Sequence, residues 1–360
     1  MPETGVRAGV RYIGPVAVYT PLSLLLVNNM SAVFPEVSKS GQVIDVEGIA
    51  QGSINTTFRV TLADGAVWFL RVNEGKTFES LVHERDVLAA LAAVDVGVVT
   101  PRMALSVPGG SFFPIDLADG RRWASWFQAL PGRDLAVFEV TPDHTAQIGA
   151  ALARCHLALK SFGRRRRNPF GVPVVRAWLR ELERTAVTKN AALLPVIQRL
   201  SAARDGVSRR RRPLRLGLVH GDLFIDNTKW QEGRLRAIFD WEMAGRDHLA
   251  LDVAISVCAW AFARGSHLKD AVLTISDDKA AALVEGYQRV RPLSAPERRG
   301  FFNEMVLAAA RFTTSRMRDF EMQRGDQIQR RHLDYRDFLA RLDIIEGRGD
   351  RALRSALGLR

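Results

Sequence analysis

Cysteine is scarce: Cys155 and Cys258 are the two in 360 residues. They make no disulfide framework and show no metal-ligand spacing. Long hydrophobic runs are missing too. Residues 22–27, the longest apolar candidate near the start, fall far short of the roughly 20 residues that a membrane span needs. The first sixteen residues carry Arg7 and Arg11 but no apolar run with a small-residue cleavage site. They read as a loose extension, not a signal peptide. No internal repeat is present. These absences exclude a disulfide-stapled module and a membrane-spanning chain, and favour a cytoplasmic protein. What remains is 47% apolar and 25% charged, a composition that buries one sizeable core or two adjoining ones.

Acidic side chains are outnumbered, 39 Asp and Glu against 51 Lys and Arg, for a net charge of +12. Much of the excess sits in two arginine tracts, residues 164–167 and 209–212. A polyanion-binding surface is one reading. Neither tract is interleaved with aromatics and no nucleic-acid fold signature accompanies them, so solvated loops flanking helices are the favoured reading. No specific nucleic-acid partner is expected.

Patterning divides the chain. Residues 17–36 suit a leading helix, with Pro21 in its first turn. Three β-rich runs follow at 43–50, 55–62 and 66–72, the last two joined by the hairpin signal Asp64-Gly65. Gly52 suits the turn between the first two. A helix over 77–93 is capped by Thr77 and buries Leu81, Val87, Leu88 and Leu91. Strands are expected at 102–106, 112–117 and 122–127, and Leu130-Pro131-Gly132 breaks the pattern. Helical periodicity then dominates: 142–161, 173–187, 190–204, 248–264, 277–290, 295–320 and 331–346. A β-rich island at 216–241, turning at Gln231-Glu232-Gly233, interrupts it. The expected fold is α+β and two-lobed. A small antiparallel-sheet lobe spans 17–130 and a larger, mainly helical lobe 131–346, between an extension at 1–16 and a tail at 347–360. The cleft between two such lobes is a favoured ligand site.

The island concentrates carboxylates among apolar strand residues. Asp222 follows His220-Gly221, Asn227 lies five residues on, and Asp240 follows Ile238-Phe239. A turn-rich hairpin loop would explain His-Gly-Asp alone. The whole pattern is more specific, because phosphoryl transfer to an alcohol needs this set of groups. One carboxylate must take the hydroxyl proton, and hard oxygen ligands must hold magnesium against the phosphates. Asp222 is the candidate base; Asn227 and Asp240 are the candidate magnesium ligands. Asp247, ahead of a helix, reads as an N-cap.

The segment LVHGDLFIDNTKWQEGRLRAIFDWEMAGRDHLALDVA resembles the aminoglycoside phosphotransferase and choline kinase superfamily, which has the protein-kinase-like fold. The resemblance runs from about Ala17 through nearly the whole chain. It implies ATP and Mg2+ as cofactors and a small-molecule hydroxyl compound as partner. Gly52, Ser53 and Asn55 fall where the family covers the phosphates. Arg71 stands at the family's phosphate-contacting lysine, keeping the charge but changing shape and reach, and Glu84 matches the helix carboxylate that pairs with it. Residues 126–130 match the hinge strand, where the nucleotide base bonds to backbone; this brings in Gln128 and Leu130. Asp252 matches a carboxylate that supports the catalytic loop, and His156 a packed core position.

Within the superfamily the chain is most similar to bacterial homoserine kinases. AVYTPLS from Ala17 is like their start. Asp222-Leu223-Phe224-Ile225-Asp226-Asn227 resembles their Asp-Leu-Phe-Pro-Asp-Asn, with Ile225 for proline. Residues 251–262 resemble their Asp-Leu-Ala-Ile followed by Ala-Trp-x-Phe, and Arg311-Phe312-Thr313-Thr314-Ser315-Arg316 resembles Arg-Phe-x-x-Ser-Arg. Departures are His-Gly in place of the frequent His-Ala, and Trp-Glu after Asp240. Homoserine is zwitterionic and needs a carboxylate for its ammonium and an arginine for its carboxylate. Asp226 and Glu242 are candidates for the first, Arg311 and Arg316 for the second. A polycationic aminoglycoside would call for many acidic residues, which the basic second lobe does not offer. Other acceptor alcohols stay open. A catalytically silent nucleotide-binding module is disfavoured by the intact Asp222, Asn227 and Asp240.

Overall fold

The computed structural model describes residues 5–7, 10–12, 20–49, 55–107, 109–163, 166–210, 214–264, 272–322 and 334–359. The chain forms two compact units, residues 1–92 with 100–131, and residues 93–99 with 132–360.

The first unit is built on a seven-stranded sheet. Its strands are β1 (Gly5–Arg7), β2 (Val10–Tyr12), β3 (Val43–Ile49), β4 (Thr56–Leu62), β5 (Val67–Asn73), β6 (Phe113–Leu117) and β7 (Gly120–Gln128). The spatial order is β1-β2-β3-β4-β5-β7-β6, antiparallel throughout except that β2 runs parallel to β3. The residues read as a loose extension therefore contribute two short strands at a sheet edge. Period-two alternation sets the faces. Phe58, Val60 and Leu62 of β4 and Leu70 and Val72 of β5 are buried in one core, while Arg59 and Arg71 point to the other side. The β4–β5 turn is fixed by Asp64, whose carboxylate accepts the Ala66 N–H at 2.8 Å.

Two short helices cover the core face. α1 (Leu24–Ala32) is capped by Ser23, whose hydroxyl accepts the Leu26 N–H, and α2 (Pro35–Ser38) starts on a proline. The leading helix expected over 17–36 is thus broken. Phe34 is held extended ahead of Pro35, as pre-proline sterics require. Val27, Met30, Phe34 and Val37 pack with Phe58, Val60 and Trp126. α3 (Phe78–Ala92) buries Leu81, Val87, Leu88 and Leu91. The strand expected at 102–106 does not form. Met103 bridges Phe127, but Pro101 brings no donor and Ser106 turns the chain away by bonding to Gly110.

The second unit carries α4 (Pro142–Ala158), α5 (Val172–Lys189), α6 (Leu194–Arg210), β8 (Leu216–Val219), β9 (Thr228–Gln231), β10 (Arg234–Ile238), β11 (Gly245–His248), α7 (Leu249–Trp260), β12 (Phe262–Arg264), β13 (Leu273–Ile275), α8 (Asp277–Val290), α9 (Ala295–Arg316) and α10 (Tyr335–Ala356). Three two-stranded antiparallel pairs, β9–β10, β8–β11 and β12–β13, sit among the helices. α7 is buried on every side, as an all-round apolar helix must be.

Several boundaries differ from expectation. α7 stops at Trp260, because residues 262–264 leave to pair with β13. α9 ends in a π-helical turn at Met317–Glu321. α10 runs through most of the expected tail, kinked at Gly349, and Leu353, Leu357 and Leu359 are buried. Arg209 and Arg210, read as part of a loop tract, form the last turn of α6, where their charge complements the helix dipole; residues 164–165 and 211–212 lie outside the described residues. Asp247 is not the N-cap of α7, a position held by His248; its carboxylate instead accepts from the Asn168 side chain and the His248 N–H. No helix among the described residues is long and apolar enough to cross a membrane.

α4 and α8 meet backbone to backbone. A methyl group on Gly149 would overlap the Leu283 carbonyl, and one on Gly286 the Ala146 carbonyl. This close approach brings His156, seven residues along α4 from Gly149, against Tyr287 of α8, with ring centroids 5.7 Å apart.

Candidate active site

The site in the second unit begins where β8 ends. Gly221 has φ +79°, a left-handed conformation that a side chain disfavours. It turns the chain so that His220 points inward and Asp222 leaves the strand. Asp252 of α7 anchors the turn. Its two carboxylate oxygens accept the His220 N–H at 2.6 Å and the Gly221 N–H at 2.8 Å. A third bond comes from His156 Nε2 at 3.0 Å. Burial works against the Asp252 charge, but the His156 bond and these amides outweigh it and hold its pKa below the ordinary value.

His220 is buried, and burial lowers its pKa. Its neutral ring is used at both nitrogens. Nδ1 accepts the Asp222 N–H at 3.2 Å, and Nε2 donates to the Phe239 carbonyl at 3.0 Å. One imidazole thus ties the Asp222 turn to the residue preceding Asp240.

Asn227 completes the loop. Its Nδ2 donates to the Asp222 carbonyl at 2.8 Å and to Asp222 Oδ2 at 3.3 Å. Both partners are acceptors, so the amide can be oriented only one way, with Oδ1 turned away from Asp222. The Phe239 N–H donates to the Asn227 carbonyl at 3.0 Å, which sets Asp240 beside Asn227 at the end of the β9–β10 hairpin. Asp240 adopts φ +65°, a strained conformation for a non-glycine residue and one concentrated at functional sites.

Charge around Asp222 is mixed. Burial pushes its carboxyl up to about 7; Arg311 and Arg316 act to lower it, and Asp226 and Glu242 to raise it. Arg316 is pushed down to about 10, mainly by burial, and lies over the Phe338 ring at 4.5 Å. Arg311 is also pushed down to about 10 by burial. Its Nη1 donates to the Gly221 carbonyl at 2.6 Å, and its guanidinium lies over Phe312 and Phe170, 4.2 and 4.7 Å from the ring centroids. Sequence reading grouped Arg311 with Arg316. Only tertiary contact distinguishes the buried arginine that holds the turn. The Trp260 indole, which donates to the Leu223 carbonyl at 2.9 Å, was also unassigned; its Ala-Trp-x-Phe context was the available signal.

In the first unit, Arg71 Nη2 meets Glu84 Oε2 at 2.6 Å. The guanidinium lies 4.6 Å from the Phe127 ring centroid, across β5 and β7. Asn55 accepts the Glu74 N–H at 3.4 Å, and Gln128 closes β7 with its N–H on the Arg102 carbonyl. Leu130 follows β7 and is half-buried. Gly52 and Ser53 lie outside the described residues.

Asp222 thus sits on a loop braced by a buried carboxylate, with an amide and a second carboxylate beside it. The phosphotransferase enzyme family matches residues 45–293. The chain is 30% identical over 348 residues to the homoserine kinase of Gluconacetobacter diazotrophicus, covering 91% of this chain and 96% of that protein. It is 29% identical over 333 residues to the homoserine kinase of Polaromonas naphthalenivorans, covering 88% and 94%. Among solved structures, the amicoumacin kinase hAmiN in complex with AMP-PNP, Ca2+ and Ami shares the fold. Its TM-score is 0.66 at 16% identity, over 91% of this chain and 94% of that one. The fold is that of the protein-kinase-like phosphotransferases. The chain belongs to the phosphotransferase enzyme family and is a small-molecule kinase.

Proposed function

We propose that this kinase transfers the γ-phosphoryl group of ATP to the hydroxyl of homoserine, giving O-phosphohomoserine and ADP. The observation that carries the acceptor class is the mixed charge acting on Asp222, with Asp226 and Glu242 on one side of the balance and Arg311 and Arg316 on the other. A zwitterion meets complementary groups there, with Asp226 and Glu242 for the ammonium and Arg316 for the carboxylate. A polycation would meet the arginines unfavourably. The identity to two proteins named homoserine kinase supports the same reading.

In this scheme Asp222 accepts the hydroxyl proton as the acceptor oxygen bonds to phosphorus and the bond to the ADP oxygen breaks. A carboxyl lifted toward neutrality is a better proton acceptor than an ordinary one. Asn227 restrains Asp222 through Nδ2, and its Oδ1, together with a charged oxygen of Asp240, would hold magnesium. Among the described residues no cluster of three or more His, Cys, Asp or Glu can cage a metal. The pair fits magnesium, which binds through one or two protein oxygens plus substrate phosphates. When bound, magnesium neutralises charge on the phosphate oxygens. Arg71, steered by Glu84, is assigned to the nucleotide phosphates, and the chain around Asn55 and at Gln128 and Leu130 to the nucleotide.

The test is a coupled ADP assay with ATP, Mg2+ and a panel of hydroxyl acceptors that includes homoserine, choline, aminopropanol and an aminoglycoside. Homoserine is expected to give the highest kcat/KM. Robust turnover of another alcohol without homoserine turnover would sink the substrate assignment.

A further inference from the structure

Behind Asp252 lies a buried polar chain that the chemistry above does not use. Asp252, His156, Tyr287, Arg291 and Glu297 are all buried. Their bonds are continuous: His156 Nε2 to Asp252 Oδ2 at 3.0 Å, His156 Nδ1 to the Tyr287 hydroxyl at 2.8 Å, Arg291 Nη1 to the same hydroxyl at 3.2 Å, and Arg291 Nη2 to Glu297 Oε1 at 2.7 Å. The guanidinium can only donate and the ionised Asp252 can only accept. The protons in between therefore take one direction. Arg291 donates to Tyr287, Tyr287 to His156 Nδ1, and His156 Nε2–H to Asp252. Glu297 fixes the far end. Its Oε1 takes Arg291, while Oε2 accepts the Ser294 N–H and hydroxyl, both at 2.8 Å.

We propose that Tyr287, Arg291 and Glu297 are positioning residues for phosphoryl transfer, setting the orientation of His156 so that Asp252 holds the His220-Gly221 amides and, through His220, the Asp222 backbone. The Gly149–Gly286 crossing places the two helices close enough for the hydroxyl to reach the imidazole. Bonds that all run one way polarise one another in a low-dielectric interior. Removing a link therefore weakens the bond at Asp252 as well as the local contact.

The inference rests on transfer at Asp222, not on homoserine as acceptor. In Tyr287→Phe, kcat is expected to fall about tenfold, the loss from one positioning hydrogen bond, with KM for nucleotide and acceptor within about twofold. The 15N-resolved imidazole spectrum should show His156 as Nε2–H in both proteins, with the Nδ1 resonance shifted in the variant by loss of the tyrosine hydrogen bond. Arg291→Lys should retain more kcat than Arg291→Met, because it keeps a donor for Tyr287. Glu297→Gln preserves shape and carries the same test should Tyr287→Phe fold poorly, with a fall in kcat at constant KM. An unchanged kcat in folded Tyr287→Phe or Glu297→Gln overturns the proposal. So does a fall accompanied by equal rises in KM, or an unshifted His156 Nδ1 resonance. If homoserine is not phosphorylated, ADP release by transfer to water carries the kcat comparison, and the acceptor reading fails separately.

Discussion

Asp222 is expected to make the metal-free protein less stable than it would be without the charge. Its carboxyl is pushed up from 3.8 to about 7, so the folded state keeps a proton that the unfolded chain releases near its ordinary value. Between about pH 4 and pH 7 the unfolded state binds fewer protons, and stability falls as pH rises; above about 7 the loss is complete. A shift of about three units corresponds to an upper bound of about 4 kcal/mol. Asp222 keeps some solvent contact, so about half of that is a realistic figure. Asp222→Asn removes the charge at nearly constant shape. In chelator-treated protein its Tm should match the wild type below pH 4 and exceed it by about 4–8 °C at pH 8, at roughly 2–4 °C per kcal/mol for a unit of this size. The same variant should lose phosphoryl transfer by about 100-fold or more. Thermal unfolding followed by circular dichroism from pH 4 to 9 is the assay. A Tm difference that is constant with pH, or a variant less stable at pH 8, would refute the charge-burial reasoning even if activity were lost.

Three further outcomes follow from the same contacts. Gly221→Ala places a side chain at φ +79°, costing about 1–2 kcal/mol; its methyl only touches the Met243 carbonyl at 3.4 Å, so a folded protein with reduced kcat is expected from denaturant titration and turnover. Arg311→Lys keeps the charge but loses the planar stacking on Phe312 and Phe170, and kcat should fall about tenfold or more, read in the coupled ADP assay. Arg71→Met should weaken nucleotide binding by about tenfold in calorimetry, whereas Arg71→Lys should stay within a few-fold, since a cation is retained opposite Glu84.

Much of the fold was legible because it rests on local rules. The Asp64-Gly65 hairpin, the Ser276-capped α8 at residues 277–290 and the β9–β10 turn follow from residues adjacent in sequence. The boundaries that moved depend on distant partners. α7 ends where β13 offers a strand to residues 262–264, and residues 102–106 fail as a strand because the Ser106–Gly110 turn competes. At the site, the motif spacing brought Asp222, Asn227 and Asp240 into view. The separate tasks of Arg311 and Arg316 were not visible: five residues apart, they lie on different faces of one helix, and only tertiary contact shows what each face meets. Nor was the Tyr287 link, whose partner lies 131 residues away.

Gly149 and Gly286 carry no functional group, yet neither position has room for a single extra carbon. In a saturation library selected for growth on kinase activity, both are expected to be as depleted of substitutions as Asp222. The two classes separate only when abundance is scored alongside function. Asp222 variants should accumulate as inert protein, while substitutions at the helix crossing should remove the protein itself. An intolerance map of this enzyme therefore marks two kinds of essential position, one kept for its chemistry and one kept for having no side chain.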